Sequence, residues 1–307
     1  MITIPEIDKY NGSYYDAYKA IYSLVAHEVT VLRTLFPEGA VDSIDGYKVG
    51  VLTKLMHAAC SFMVVIEQTH DYASAATILR SIADNLASYI LIYHDPNNDE
   101  VYLRHNLFLY DGFRTRLNAI LSIKPTDNKS ISELEKKQVQ QDVELAVKNT
   151  NNAIKYSLSE IRGCVLYGLH KTEIEYLIKL NHDNWKYESL LKYKHILKWK
   201  DMYPIINGKE SSSFFLSYLS QYVHGLSSSN LSINNTNPDT FAPMIGIGIT
   251  FLGKINEFVQ KDFGVELTTL MHGFLDSEYG IEHFSYINPI YLEEILKKTG
   301  LKPQPKH

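Results

Sequence analysis

Arg80 and Asp84 are the only charges in the twenty-one residues from Ala73 to Tyr93. One helical turn separates them, a spacing at which a guanidinium and a carboxylate can pair. A guanidinium held in this way can be aimed at a phosphate or another anion. Around the pair stand Ala76, Leu79, Ile82, Ala83, Leu86 and Ala87, among other apolar residues. A helix apolar on nearly all sides belongs in an interior, so the pattern predicts a charge pair carried into a core. Unpaired charge is costly there. The alternative role is a buried clamp that fixes helix packing and binds nothing.

A second group lies far downstream. Ser213, Ser217, Ser220 and His224 follow helical offsets, while Phe214, Phe215, Leu216, Leu219 and Val223 fill the other faces. A solvent face normally carries Lys and Glu, and this stripe carries neither. The spacing predicts a hydrogen-bonded seam against another buried helix. His224 can act as a general acid or base near neutral pH, oriented by Ser220 one turn earlier. Its other reading is a structural histidine at a helix C-terminus, where the helix dipole favours a cation.

The third group runs from Trp185 to Lys200. Lys186, Lys192, Lys194, Lys198 and Lys200 interleave with Tyr187, Tyr193 and His195, against Glu188 alone. Lysines among aromatics suit phosphate contacts and base stacking, which makes Lys192, Lys194 and Lys198 candidate RNA contacts. They also suit a solvated helix face opposite a buried stripe of Leu190, Tyr193 and Leu197. Other patterns are weaker. His27-Glu28 has Val31 where a helical zinc motif needs its second histidine. Gly246-x-Gly248 follows no strand, so it does not read as a dinucleotide loop. Arg104, His105, Asp111, Arg114 and Arg116 read as mixed charges on a solvent-facing helix. His272 and Glu282-His283 show no ligand spacing, and no metal or cofactor is expected.

Helical periodicity positions these groups. Tyr15, Tyr18, Tyr22, Val25, Val29 and Leu32 step at three and four and stop before Pro37. Ser43 opens a second helix running to Glu67. Asp71 caps the third, which carries Arg80 and Asp84 and ends at Asp95-Pro96. Asn98 or Asp99 opens the fourth, which ends before Pro125. Ser132 with Glu135 reads as a capping box for a long fifth helix. Its polar first half, with Asn149 to Asn152 in mid-course, indicates a partly exposed arm or a break. Shorter helices are expected at 173–180 and 186–200, then one from Ser211 to His224. A Ser/Asn-rich loop at 227–239 precedes a helix at 240–259, whose Gly246, Gly248 and Gly253 suit close helix contact. A last short helix is expected near 291–298. The expected fold is all-α, a multi-helix bundle in a single domain over 1–307, with a weak subdivision near 125–130.

Composition narrows the classes. Hydrophobic residues make up 45% and charged residues 21% of 307, values suited to a soluble globular protein with a sizeable core. A formal net charge of -5 gives no global attraction to nucleic acid or anionic membrane, leaving only local basic patches. Cys60 and Cys164 cannot make a disulfide framework. Glu6, Asp8, Asp16 and Lys19 interrupt the first twenty residues, so no secretory signal is expected. No membrane span is expected either. The expected setting is the cytoplasm of a bacterium.

Two segments, Arg80-Ser81-Ile82-Ala83-Asp84 and the run from Tyr218 through Ser220 and His224 to Gly225, resemble a family of uncharacterised bacterial all-helical proteins. That family is similar to the HEPN superfamily of helical, often dimeric domains. The resemblance covers roughly residues 45 to 230. It implies a HEPN-like core with additional C-terminal helices, and a homodimer. HEPN ribonucleases carry Arg-x(4–6)-His on one helix, where the Arg holds the scissile phosphate and the His aids 2′-hydroxyl attack or leaving-group departure without a metal. Here Ser217, Tyr218, Leu219 and Ser220 stand before His224 with no arginine among them. Arg162 and His170 are eight residues apart, about 12 Å of helix rise, too far to share one phosphate. A nuclease would need Arg80 delivered from another helix. The resulting expectation is a non-catalytic binding or assembly protein. Its polar centre, built from Arg80, Asp84, Ser220 and His224 with Ser217 alongside, takes an anionic or nucleotide-like group. The alternative is a metal-independent endoribonuclease with His224 as acid/base, Arg80 as phosphate anchor and Asp84 orienting Arg80.

Overall fold

The computed structural model describes residues 13–36, 43–123, 132–208, 215, 217–222 and 241–275. The chain forms two compact units, residues 1–89 with 203–307, and residues 90–202. Among the described residues the only β pairing is an isolated bridge between Tyr187 and Ile196. The fold is all-α, a multi-helix bundle.

Caps set the helix starts in the first unit. Ser13 accepts from the Asp16 amide and Asp16 reaches back to the Ser13 amide, a capping box that opens α1 (Tyr14–Leu35). Ser43 caps α2 (Ile44–Val64) by accepting from the Gly46 amide. A π-helical turn, Val65–Thr69, extends α2 and ends at His70 in the left-handed region, φ 51°. Asp71 accepts from the Ala73 amide at 3.0 Å ahead of α3 (Tyr72–Tyr93).

The stretch Ile44–Thr69 is long and apolar enough to cross a membrane by length and composition. A helix covered on several sides needs the same composition, and Leu52, Leu55, Met56, Ala59 and Phe62 are all buried. On α1 the Tyr18 hydroxyl donates to the Ala59 carbonyl of α2 at 3.0 Å.

A long helix near the C-terminal end, here called α10 (Ala242–Leu275), completes this core. A Cβ on Gly248 would sit 2.7 Å from the Tyr18 ring, so only glycine permits this approach of α10 to α1. Twelve residues on, Gln260 donates to Glu28 of α1 at 2.8 Å. The contacts advance together along both helices, so α1 and α10 run parallel. Tyr89 of α3 stacks on Phe258 at 5.2 Å and donates to Asp262 at 2.5 Å. One residue later, Phe263 departs from helical geometry (φ −135°, ψ 17°) and kinks α10.

The second unit is organised by α4 (Asn98–Leu121) and α5 (Glu133–Gly163). Asn97 caps the first, and the Ser132/Glu135 box caps the second. The break expected at 149–152 does not occur. Thr150 is buried, and its hydroxyl donates to the Ala146 carbonyl, so the helix passes through the asparagines unbroken. Among the described residues from Gly112 to Asn149 none is buried, which leaves these halves of α4 and α5 as an exposed arm. Two short helices follow, α6 (Val165–Leu169) and α7 (Lys171–Lys179).

The helix expected at 186–200 is replaced by an irregular loop. The Leu197 amide donates to the Lys186 carbonyl at 2.8 Å, and the Glu188 amide to the His195 carbonyl at 3.0 Å. These bonds close a hairpin whose tip holds only a single 3₁₀ turn, Leu190–Lys192. After it come α8 (Trp199–Met202) and, in the first unit, α9 (Pro204–Asn207).

Candidate functional site

Arg80 sits mid-way along α3 with its guanidinium fixed on three sides. Its Nε donates to Asp84 Oδ1 at 3.2 Å, and its Nη1 donates to Ser220 Oγ at 2.9 Å. Its Cζ lies 4.8 Å from the centre of the Tyr203 ring, within cation–π range. The Tyr203 hydroxyl donates to the same Asp84 Oδ1. Burial, and then this bond to Asp84, raise the Tyr203 phenol well above its ordinary pKa, so the hydroxyl stays a donor throughout the physiological range. Three sequence-distant stretches thereby meet at one guanidinium. Nη2 donates to no protein atom among the described residues.

The pair is less deeply placed than the apolar sequence around it predicts. Arg80 keeps 22% of its side chain exposed and Asp84 35%. The reason lies in small residues. Ala73, Thr77 and Ser81 form the outer face of α3 while Ala76, Leu79, Ala83 and Leu86 face inward. A solvent face built without Lys or Glu reads as interior in the sequence.

Ser220 is half-buried, whereas Ser217 is exposed. The seam expected along this helix is therefore confined to Ser220 among its described members. Leu219 is the residue driven fully inward, and Ser217 shares the outer side with Gln221 four positions on. His224 and Ser213 lie outside the described residues, as do the 227–239 loop and the 291–298 segment.

Beside Tyr203 is a cleft lined by Ala83, Ile206, Asn207, Phe215, Leu219 and Phe251, of about 10 Å³. That volume holds one water at most. Among the described residues no three His, Cys, Asp or Glu side chains gather as metal ligands.

The second unit holds a polar arrangement that sequence reasoning misplaced. Arg104, expected on a solvent-facing helix, is 2% exposed, and His105 is equally buried. Arg104 Nη1 donates to the Trp185 carbonyl at 3.2 Å and the Tyr187 carbonyl at 2.8 Å. Its guanidinium lies over the Tyr187 ring at 4.1 Å. Two turns on, Asp111 accepts from the Asp183 amide at 3.0 Å, and Arg114 donates to the Leu180 carbonyl at 2.6 Å. Burial raises the Asp111 pKa against the lowering effect of that amide. Side chains of α4 thus supply the hydrogen bonds that the irregular backbone at 180–187 cannot make for itself. The sequence signal was the apolar residues between the charges. Leu103, Leu107, Leu109 and Tyr110 are all buried, so the helix is covered on several sides.

The lysines divide. Lys186 is 3% exposed, paired with Asp183 at 2.8 Å and 3.8 Å from the centre of the Trp199 ring. Lys192, Lys194 and Lys198 are exposed. They do not lie opposite a helical stripe, because the 186–200 stretch is a hairpin.

Comparison of the chain with protein-family models, with curated proteins and with solved structures gave no match.

Proposed function

We propose that the chain is a non-catalytic binding or assembly module whose Arg80 centre takes an anionic group, a phosphate or a nucleotide-like ligand. The observation that carries this is the state of the guanidinium. Its Nε and Nη1 are held by Asp84 and Ser220, its face rests on Tyr203, the side chain keeps 22% exposure, and its Nη2 donates to no protein atom among the described residues. A fork fixed before the ligand arrives loses little freedom on binding. Homodimerisation and a cytoplasmic setting belong to the same proposal and rest on the HEPN likeness and on composition.

Pyrophosphate titration of the full chain, followed by calorimetry, tests the site. Arg80→Ala is expected to weaken binding about tenfold or more, the worth of a charge-assisted hydrogen bond. Arg80→Lys should recover little, since an ammonium cannot reproduce the fork. Because Arg80 is partly exposed, its removal should cost only about 1 kcal/mol of stability, so lost binding will not reflect unfolding. Unchanged affinity in Arg80→Ala removes the proposal.

The Arg80–Ser220 contact also supports the second reading, metal-independent RNA cleavage. It brings an arginine of a different helix to Ser220, which stands four residues before His224 in the sequence. In this reading His224 is the acid/base, Arg80 the phosphate anchor and Asp84 the group that orients Arg80. Purified wild-type protein should then cleave single-stranded RNA in chelator, with His224→Ala reducing the rate at least about a hundredfold. Equal rates exclude the nuclease and leave the binding module.

A further inference from the structure

We propose that the hairpin tip at 189–194 docks on an anionic phospholipid surface, with Leu191 entering the headgroup boundary and the neighbouring lysines meeting lipid phosphates. The proposal is independent of the Arg80 centre, and all its residues lie in the second unit.

The tip is a built feature. Its base is closed by the two backbone bonds between 186–188 and 195–197. Arg104 grips the carbonyls of Trp185 and Tyr187 below it, and Lys186 is locked between Asp183 and Trp199. Leu190 is 5% exposed and anchors the 3₁₀ turn, while the adjacent Leu191 is 89% exposed. An exposed leucine alone means little. This one stands at the tip of a held loop with Lys192 and Lys194 beside it, and with Lys198 and Lys200 exposed at its base.

Charge complementarity selects the partner. The acidic groups facing these lysines are few. Glu188 pairs with Lys192 at 2.5 Å and with His195 at 2.7 Å, and Asp201 accepts from the Lys198 amide. The contacts to Lys192 and His195 keep the Glu188 carboxyl below its ordinary pKa, so it is ionised and opposes an anionic surface. The surplus is positive and local, within a chain of net charge -5.

The aromatic side chains decide against single-stranded RNA, the partner that the sequence suggests. Trp185 and Tyr187 are buried, with Trp185 edge-on to Phe108. Lys186 covers the Trp199 ring, and Tyr193 is half-buried against Tyr176. Base stacking needs open ring faces. What the tip offers instead is an aliphatic side chain ringed by ammonium groups, a combination that suits the lipid interface. Such docking needs no membrane span.

Flotation of the full chain with phosphatidylcholine vesicles, and with mixed phosphatidylcholine–phosphatidylserine vesicles, tests this. Binding is expected only with phosphatidylserine, falling as salt rises. The double substitution Lys192→Gln with Lys194→Gln should lower partitioning roughly tenfold or more. Leu191→Ser should lower it several-fold, and Glu188→Gln should raise it. All four positions are at the surface, so folding is not at stake. Equal or absent binding to the two vesicle types overturns the proposal. So does an unchanged Leu191→Ser variant, or an unstructured RNA that binds more tightly than the vesicles with the same dependence on both lysines.

Discussion

Glu28→Gln is expected to flatten a fall in stability that the Glu28 carboxyl should impose on the native protein between about pH 5 and pH 8. Glu28 lies on the face of α1 that packs against α10 and is 1% exposed. Its Oε1 accepts from Gln260, while Oε2 has no partner among the described residues. Burial raises its pKa from 4.5 to about 8, with the Gln260 bond opposing only part of that rise. The folded protein therefore holds a proton that the unfolded chain releases near its ordinary value. Stability from the protonated carboxyl is complete below pH 4.5, declines as pH climbs, and is gone once pH passes about 8. The whole shift corresponds to roughly 5 kcal/mol as an upper figure. A Gln side chain is neutral at every pH and nearly the same shape. Urea unfolding across this range should show a steep native profile and a flatter variant profile, with the variant more stable by several kcal/mol at pH 9. Parallel profiles would mean that Glu28 is charged in the fold or titrates near its ordinary pKa.

The second large effect belongs to Arg104. Arg104→Ala removes the partner of two main-chain carbonyls, a cation–π contact and most of a buried side chain at once. The expected loss is about 3–5 kcal/mol, several times that for Arg80→Ala. Lysine at 104 should restore only part of it, because an ammonium on a shorter stem lacks the planar guanidinium that lies over the Tyr187 ring while bonding the carbonyls. Since these carbonyls belong to Trp185 and Tyr187, the near-ultraviolet circular dichroism of the tryptophans should weaken together with the unfolding midpoint. A loss below about 1 kcal/mol would place Arg104 among ordinary surface side chains.

Local chemistry made the helices legible. Ser43, Asp71 and the Ser132/Glu135 box each mark a helix start where side chain meets free amide. The Arg80–Asp84 pair was equally local, since a four-residue spacing on a helix fixes the distance. What lay beyond local reading depended on groups far away in the chain. Ser220 meets Arg80 across 140 residues, and no spacing rule encodes that meeting. For Arg104 the apolar residues around it signal a covered helix, but its acceptors, carbonyls some eighty residues later, have no local mark in the sequence. The hairpin at 186–200 was misread for the same reason. Its lysines and aromatics carry a helical period, but side chains from α4 satisfy the backbone beneath it, so a helix is not required. Ser217 reads as part of an interior seam because its neighbours are apolar, yet the full burial of Leu219 turns it outward.

Anion binding at Arg80 requires a free guanidinium edge, and a crystal structure of the full chain grown with pyrophosphate tests this most directly. A phosphate oxygen within hydrogen-bonding distance of Arg80 Nη2, with the Asp84 and Ser220 bonds kept, is the predicted result. Pyrophosphate bound elsewhere while that edge faces bare solvent would contradict it.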